Sequence, residues 1–167
     1  MNNIVTDRLI IIPMTYSMVC AVLGGDNKKF MESGVNFNGK WPLKDTLDIL
    51  NFIKDGMNKN DEIDGFDVWM IVKRENMTVI GDAGFKGAPN ENGEIEIGFG
   101  LIEEEQNRGY GYETASALIN WALQQNGVSV IKADCLIDNS ASINLLKKCG
   151  MREIGRDAEL IYWEKKI

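Results

Sequence analysis

The stretch EQNRGYGYE, residues 105–113, lies between an apolar run, IEIGFGLI (95–102), and an amphipathic run, TASALINWALQQ (114–125). This order predicts a strand, a glycine-bearing turn and the N-terminus of a helix. In such a turn the free backbone N–H groups and the positive end of the helix point in the same direction, so that together they can bind an anion. The stretch therefore predicts an anion-binding site between residues 105 and 113.

The sequence around this turn predicts an α/β (α+β) fold with a mixed, mostly antiparallel sheet and helices on its faces. Strand-like runs at 66–73, 77–86 and 94–102 are joined by short turns, and short connections favour antiparallel neighbours. A helix from about Tyr112 to Gln125 leads to a further apolar strand at 128–137. Because a helical crossover separates these last two strands, they are expected to be parallel.

The two ends of the chain supply the remaining elements. The first part predicts a strand at Leu9–Ile12, a helix at Thr15–Leu23, an irregular segment at 24–44 and a helix N-capped by Asp45. The last part predicts a short helix after Asp138-Asn139-Ser140, ended by Gly150, and two final strands at 151–156 and 159–166. With 167 residues, 44% of them apolar, a single domain spanning 1–167 is expected.

Composition narrows the classes of partner. The net charge is −7, which argues against an exposed nucleic acid backbone as the partner. No apolar segment approaches the ~20 residues of a membrane span, and the N-terminus lacks the pattern of a secretory signal. The three cysteines, Cys20, Cys135 and Cys149, are odd in number and lie in apolar stretches. They are expected to be buried free thiols of a cytoplasmic protein.

The chain contains no histidine. Ser-His and Cys-His nucleophile pairs and His-ligated metal sites are therefore excluded, and no metal is expected. Any general base must be a carboxylate, a tyrosine, a cysteine or a lysine.

Two common glycine motifs do not fit the turn. A phosphate-binding P-loop requires Lys and Ser/Thr after its last glycine, whereas Gly111 is followed by Tyr112. The dinucleotide fingerprint requires a third glycine or alanine at the position of Thr114. The Gly109-x-Gly111 pair by itself is equally compatible with a turn that needs positive φ angles.

Longer spacings carry a more specific signal. The motif Gln106-x-x-Gly109-x-Gly111 follows one strand, and Asn139-x-x-Ser142 with Lys148-x-Gly150-Met151 follows the next. Together they resemble the acetyl-CoA signature of the GNAT N-acetyltransferase superfamily. The opening TDRLIIIPM and the strand IEIGFGL are similar to its ribosomal-protein N-terminal acetyltransferase (Rim-type) branch. The resemblance covers residues 6–165.

The resemblance implies a GNAT-like sheet whose strands splay apart where acetyl-CoA, the cosubstrate, binds. The pantetheine arm is then expected along the backbone of Phe99 and Leu101 and at Asn139. The pyrophosphate is expected at the loop, whose backbone N–H groups suit its charge. The implied loop residues are Gln106, Asn107, Arg108, Gly109, Tyr110, Gly111 and Tyr112.

Two residues are candidates for proton transfer. Glu96 matches the glutamate of the family's strand motif and is the candidate general base, although a solvent-facing strand position explains it equally. Many relatives carry a tyrosine acid where this chain has Leu146. The Rim-type branch offers a serine, here Ser142, as the candidate general acid; alternatively this serine bonds its own helix backbone. The N–H groups near Phe99–Leu101 are expected to polarise the acetyl carbonyl.

The function expected from this reasoning is acetyl transfer from acetyl-CoA to a primary amine, such as the N-terminus of a ribosomal protein. A small amine (a polyamine, an amino acid or an aminoglycoside) and a catalytically weak CoA-binding sensor remain as alternatives. The protein is expected to be a monomer or a homodimer.

Overall fold

The computed structural model describes residues 1–26, 28–32 and 34–166, and an eight-stranded sheet forms its centre. The strands are β1 (Ile4–Val5), β2 (Leu9–Pro13), β3 (Val68–Lys73), β4 (Val79–Phe85), β5 (Glu94–Leu101), β6 (Val130–Leu136), β7 (Arg152–Arg156) and β8 (Leu160–Lys166). The helices are α1 (Tyr16–Leu23), α2 (Lys28–Glu32), α3 (Lys44–Ile53), α4 (Tyr110–Ala122) and α5 (Ser140–Lys148). The strand order in the sheet is β1-β2-β3-β4-β5-β6-β8-β7.

Strand directions follow the connections. The short turns between β3 and β4 and between β4 and β5 make these pairs antiparallel, whereas β6, reached through α4, is parallel to β5. The predicted mixed, mostly antiparallel sheet is thereby confirmed.

Helices cover both faces of this sheet. Side chains of neighbouring strand residues point to opposite faces, and on β4 the two faces are marked by Phe85 and Asp82. The Phe85 ring lies 5.8 Å from that of Trp121 on α4, while Asp82 receives a hydrogen bond from Thr46 on α3. Cys135 and Cys149 are buried and Cys20 is half-buried, and all three are free thiols.

Three local predictions were wrong. Helix α4 begins at Tyr110 rather than Tyr112, because Gly109 takes the left-handed conformation (φ 84°) and starts the helix without a side-chain cap. Leu43, not Asp45, is the N-cap of α3, and Asp45 lies inside the first turn, where its charge suits the helix dipole. The segment predicted to be irregular, 24–44, contains the short helix α2.

The sheet opens between β5 and β6. Their pairing begins at Glu94 with Val130 and ends at Glu96 with Lys132, while β5 stays paired to β4 as far as Leu101. The last five residues of β5 therefore have a strand neighbour on one side and a gap on the other. This is the splay that the family resemblance implies.

Candidate active site

The backbone of β5 presents polar groups to the gap. The Lys86 N–H donates to the Glu96 carbonyl at 2.9 Å, and Ile102 at the end of the strand donates to β4. Even-numbered residues of this strand therefore bond to β4. Since alternate residues bond to opposite sides, Phe99 and Leu101 direct their N–H groups into the gap, where β6 no longer pairs. Two extended-backbone donors are thus open to a ligand lying between the strands.

The loop after β5 is fastened to the end of that strand. The Gln106 amide donates a hydrogen bond to the Leu101 carbonyl at 2.9 Å. This bond uses the side chain of the motif glutamine to hold the loop in position next to the gap. Gln106 thereby shapes the site through the loop conformation.

The start of α4 offers a cluster of free donors. Asn107 and Gly109 both adopt positive φ angles, 58° and 84°, which turn the chain sharply into the helix. The first N–H of this turn with a partner belongs to Glu113, which donates to the Gly109 carbonyl at 3.1 Å. Within the described residues, no protein acceptor meets the backbone N–H groups of 107–112. These donors and the positive helix end suit an anion such as a phosphate.

The two glycines of the motif, Gly109 and Gly111, are needed for different structural reasons. A Cβ built on Gly109 would lie 3.2 Å from Nη2 of Arg8, and its φ angle disfavours other residues. A Cβ on buried Gly111 would lie 2.9 Å from Cδ1 of Leu145 on α5. Gly111 therefore makes room for the packing of α4 against α5.

Charges around the loop are largely paired. The Arg108 guanidinium is exposed and lies 3.3 Å from the Glu105 carboxylate, which also lies 3.1 Å from the Lys73 ammonium. The Glu105 side chain is only 13% exposed, whereas Glu103 and Glu104 are exposed.

Comparison with known proteins assigns this chain, with its split sheet and its candidate anion-binding loop, to a family. The profile of the acetyltransferase (GNAT) domain matches residues 8–152. The chain belongs to the GNAT acetyltransferase family. It is 37% identical over 158 residues to the uncharacterized N-acetyltransferase YjdG of Bacillus subtilis, covering 95% of this chain and 94% of that protein.

Solved structures share the fold of this acetyltransferase at low sequence identity. The ribosomal-protein-S5-alanine acetyltransferase of Vibrio fischeri superposes with a TM-score of 0.72 at 12% identity, covering 99% of this chain and 97% of the other. The ribosomal L7/L12 alpha-N-protein acetyltransferase RimL, solved with coenzyme A, gives a TM-score of 0.69 at 18% identity, with 99% and 98% covered.

In this GNAT acetyltransferase the candidate base, Glu96, is ion-paired. Its carboxylate contacts the Lys86 ammonium, which also lies 3.3 Å from Asp134 on β6. Partial burial lowers the pKa of Lys86, but the hydrogen bond and charge of Glu96, with those of Asp134, outweigh burial and raise it overall. Lys86 is thus held as a cation between two carboxylates. Neither Lys86 nor Asp134 was singled out from the sequence.

The candidate acid lies at the start of α5. Asn139 caps this helix by accepting a hydrogen bond from the Ser142 N–H at 3.0 Å. The Ser142 hydroxyl has no hydrogen-bond partner in the described part of the chain, so it does not bond its own helix backbone. Leu146 is 1% exposed and belongs to the core.

Sequence reasoning missed a buried carboxylate, Asp82 of β4. Oδ2 of this residue accepts hydrogen bonds from Trp41 Nε1 at 2.7 Å and Thr46 Oγ1 at 2.5 Å. Burial raises the pKa of Asp82; the bonds from Thr46 and Trp41 oppose this, and the net shift is upward. A lone aspartate inside the apolar strand VIGDAGF was the signal, because an ionisable residue is rarely buried without a reason.

Two further properties concern the described ranges 1–26, 28–32 and 34–166. No group of three His, Cys, Asp or Glu side chains there is arranged to hold a metal ion. None of the helices formed by these residues has both the length and the apolarity that crossing a bilayer requires.

Proposed function

We propose that this protein transfers the acetyl group of acetyl-CoA to a primary amine, with a protein N-terminus, such as that of a ribosomal protein, as the favoured acceptor. The observation that carries the proposal is the continuity of unpaired donors. The N–H groups of Phe99 and Leu101 face the gap, and those of 107–112 follow in the loop that Gln106 fastens to the same strand.

These groups fit acetyl-CoA part by part. The backbone N–H groups of Phe99 and Leu101 bond to the pantetheine arm, which lies along β5 like an added strand. Asn139, the N-cap of α5, lies beside that arm. The first turn of α4 binds the pyrophosphate. Bound acetyl-CoA supplies an activated acetyl group as a thioester. Two solved relatives by fold contain coenzyme A or acetyl-CoA according to their descriptions, which supports the same cosubstrate here.

Different residues of the chain then act as the proton acceptor, the donor to the carbonyl oxygen and the proton donor to the sulfur. Glu96 accepts a proton of the acceptor ammonium through a chain of water molecules, which leaves a neutral nitrogen to attack. A gap-facing N–H of Phe99 or Leu101 donates to the acetyl carbonyl oxygen as negative charge develops there. Ser142 Oγ gives its proton to the departing sulfur, and the proton that the attacking nitrogen loses as the amide forms returns to Ser142 through water. Holding both substrates together supplies much of the remaining rate.

A small cationic amine is the second candidate acceptor. Glu96 and Asp134 lie on the same face of the sheet as the open part of β5, and such carboxylates attract cations. We also propose that the chain is one N-acetyltransferase domain, residues 1–167, that acts in the cytoplasm.

An acetylation screen tests the proposal. The protein is incubated with acetyl-CoA and, separately, six-residue peptides with different N-terminal residues, purified ribosomal proteins, spermidine, free amino acids and kanamycin. Thiol release and a mass increase of one acetyl group are measured. We expect transfer to at least one peptide or ribosomal protein. Transfer only to a small amine favours the second candidate, and CoA binding without transfer to any amine would leave a CoA-binding sensor.

A further inference from the structure

The unpaired half of β5 has an open face. A Cβ built on Gly98 would meet no atom within 4 Å, and one built on Gly100 would meet only Cδ1 of Leu43, at 4.0 Å. Side chains at these positions point to the same face as Glu96, since residues two apart on a strand share a face. The two glycines therefore form the floor of a slot, which we call the glycine slot, directly beside the gap-facing N–H groups.

Asp82 borders this slot. It is the Cα partner of Gly100 across the β4–β5 ladder, and such partners lie about 5 Å apart in antiparallel strands. Glu96, four residues before Gly100, lies about 13 Å away along the strand, at ~3.3 Å per residue. Asp82 is thus the carboxylate nearer to the Phe99 and Leu101 donors that are expected to hold the acetyl carbonyl.

One oxygen of Asp82 is unused. Both protein donors, Trp41 Nε1 and Thr46 Oγ1, bond to Oδ2, and no donor of the described residues reaches Oδ1. Among the described residues, Thr114 Oγ1 is the only side-chain polar atom that is completely buried and has no hydrogen-bond partner. Because Oδ1 of Asp82 also has no partner, it is not completely buried, although the residue as a whole is only 7% exposed.

We propose that Oδ1 of Asp82 binds the ammonium group of the acceptor in the glycine slot and thereby selects amines that are cationic at neutral pH. This inference rests on the proposed function and assigns the group that recognises its acceptor. The hydrogen bonds from Trp41 and Thr46 to Oδ2 fix the orientation of the carboxylate. Because Gly100 has no side chain, the space next to Oδ1 stays open. A buried carboxylate with an open hydrogen-bonding position prefers a charged partner, because the pair offsets the desolvation of the negative charge.

Binding of an ammonium group at Oδ1 is coupled to the ionisation of Asp82. Burial raises it above its ordinary value despite the bonds from Thr46 and Trp41, and the exposed carboxylate of Asp45 raises it further. An ammonium at Oδ1 acts in the opposite direction and stabilises the ionised form. Acceptor binding and ionisation of Asp82 then favour each other.

The test compares Asp82→Asn with Asp45→Asn. Both changes remove one carboxylate from the same region, but Asp45 is exposed and lies in the first turn of α3. With the most active six-residue peptide of the screen as acceptor, Asp82→Asn should raise the KM for peptide about 10-fold or more, the scale of a charge-assisted hydrogen bond. The Kd for CoA should stay unchanged in both variants, and Asp45→Asn should keep the wild-type KM.

A second variant covers the case in which Asp82→Asn does not fold. Gly100→Ala adds one methyl group to the slot with no protein atom closer than 4.0 Å, so it should fold normally, keep its affinity for CoA and raise the KM for peptide. Wild-type KM values for peptide in Gly100→Ala and in folded Asp82→Asn would overturn the inference while the wild-type enzyme still acetylates the peptide. Absence of transfer by the wild-type enzyme to any amine would instead overturn the proposed function, and this inference with it.

Discussion

Glu96, the proposed general base, has the access to water that this role needs, because its side chain is 33% exposed. Its carboxylate contacts the Lys86 ammonium. Relay through water, rather than direct contact with the acceptor, agrees with its distance along β5 from the gap-facing donors.

We expect Glu96→Gln to lower kcat about 100-fold, within the usual range for general base catalysis. The loss should become smaller at high pH, where the acceptor amine is already neutral. Glu94→Gln is the matched control, since Glu94 points to the same face and pairs with Lys132 at 2.8 Å, yet lies farther from the gap. Steady-state kinetics across the pH range checks both variants; a Glu96→Gln enzyme with the wild-type kcat at every pH would exclude the role.

Ser142→Ala separates catalysis from capping. The cap bond runs from the Ser142 N–H to the Asn139 side chain, and it survives removal of the hydroxyl. We therefore expect kcat to fall while the melting temperature and CoA affinity stay unchanged. Asn139→Ala is the stability control and should lower the free energy of unfolding by about 1 kcal/mol. Kinetics and thermal melting of the same samples decide, and an unchanged kcat in Ser142→Ala would leave the general acid unassigned.

At the scale of elements, the contact between α4 and α5 sets the position of the turn that is proposed to bind the pyrophosphate. Gly111→Val places three methyl-sized groups where Leu145 packs, so the helices must separate or strain. We expect a loss of about 1–3 kcal/mol in the free energy of unfolding, as for other overpacked sites, and a weaker CoA affinity by calorimetry. The second substitution Leu145→Ala removes the clash, so the double variant should regain much of the lost stability and of the lost CoA affinity. Unchanged CoA affinity in folded Gly111→Val would mean that the pyrophosphate does not bind at this turn.

The gap between β5 and β6 should be visible in the hydrogen-exchange rates of the β5 amides. The amides of Phe99 and Leu101 have no strand partner, whereas those of Gly98 and Gly100 bond to β4. We expect the first two amides to exchange quickly in the free protein and to become protected when CoA is added. The two glycine amides should be protected in both states, which provides an internal control. If CoA binds and Phe99 and Leu101 still exchange at the same rate, the arm does not pair with β5.

Elements with strong periodicity were predictable from the sequence, whereas contacts between distant segments were not. The alternation in EIEIGFGL and the amphipathic run after Tyr112 gave β5 and α4 with small errors at their ends. The start of α4 shifted because a left-handed glycine replaces a side-chain cap, which composition does not reveal. The partners of Asp82 come from residues about 40 positions away, and no local pattern specifies such a contact.

For the whole molecule, the N-terminal segment is tied to the functional helix across the sequence. The Glu113 carboxylate on α4 accepts hydrogen bonds from Thr6 Oγ1 at 2.6 Å and from the backbone N–H and Nε of Arg8 at 2.9 and 2.7 Å. It also lies in the first turn of its helix, where negative charge is favourable. One charged group therefore holds the segment before β2 to the turn that is proposed to bind the pyrophosphate.

This group makes stability depend on pH. Burial raises the pKa of Glu113, but the bonds from Thr6 and Arg8 outweigh burial, and the folded-state pKa is lowered. A lowered folded pKa gives stability that is present above the unfolded pKa, about 4.3, and is lost as the pH falls through the folded value. We expect Glu113→Gln to lower the free energy of unfolding by about 2 kcal/mol at pH 7, the scale of hydrogen bonds to a charged group.

Urea unfolding of wild type and Glu113→Gln at pH 7 and again near pH 3 measures this dependence. The difference between the two proteins should shrink at the lower pH, because the wild-type carboxylate is then increasingly protonated and resembles the neutral amide. Glu104→Gln is the control: Glu104 pairs with Lys40 on the surface, where both side chains are about half exposed, and exposed pairs stabilise little. An equal difference at both pH values would mean that Glu113 stabilises the fold through its shape alone, and the charged tie between the N-terminal segment and α4 would be wrong.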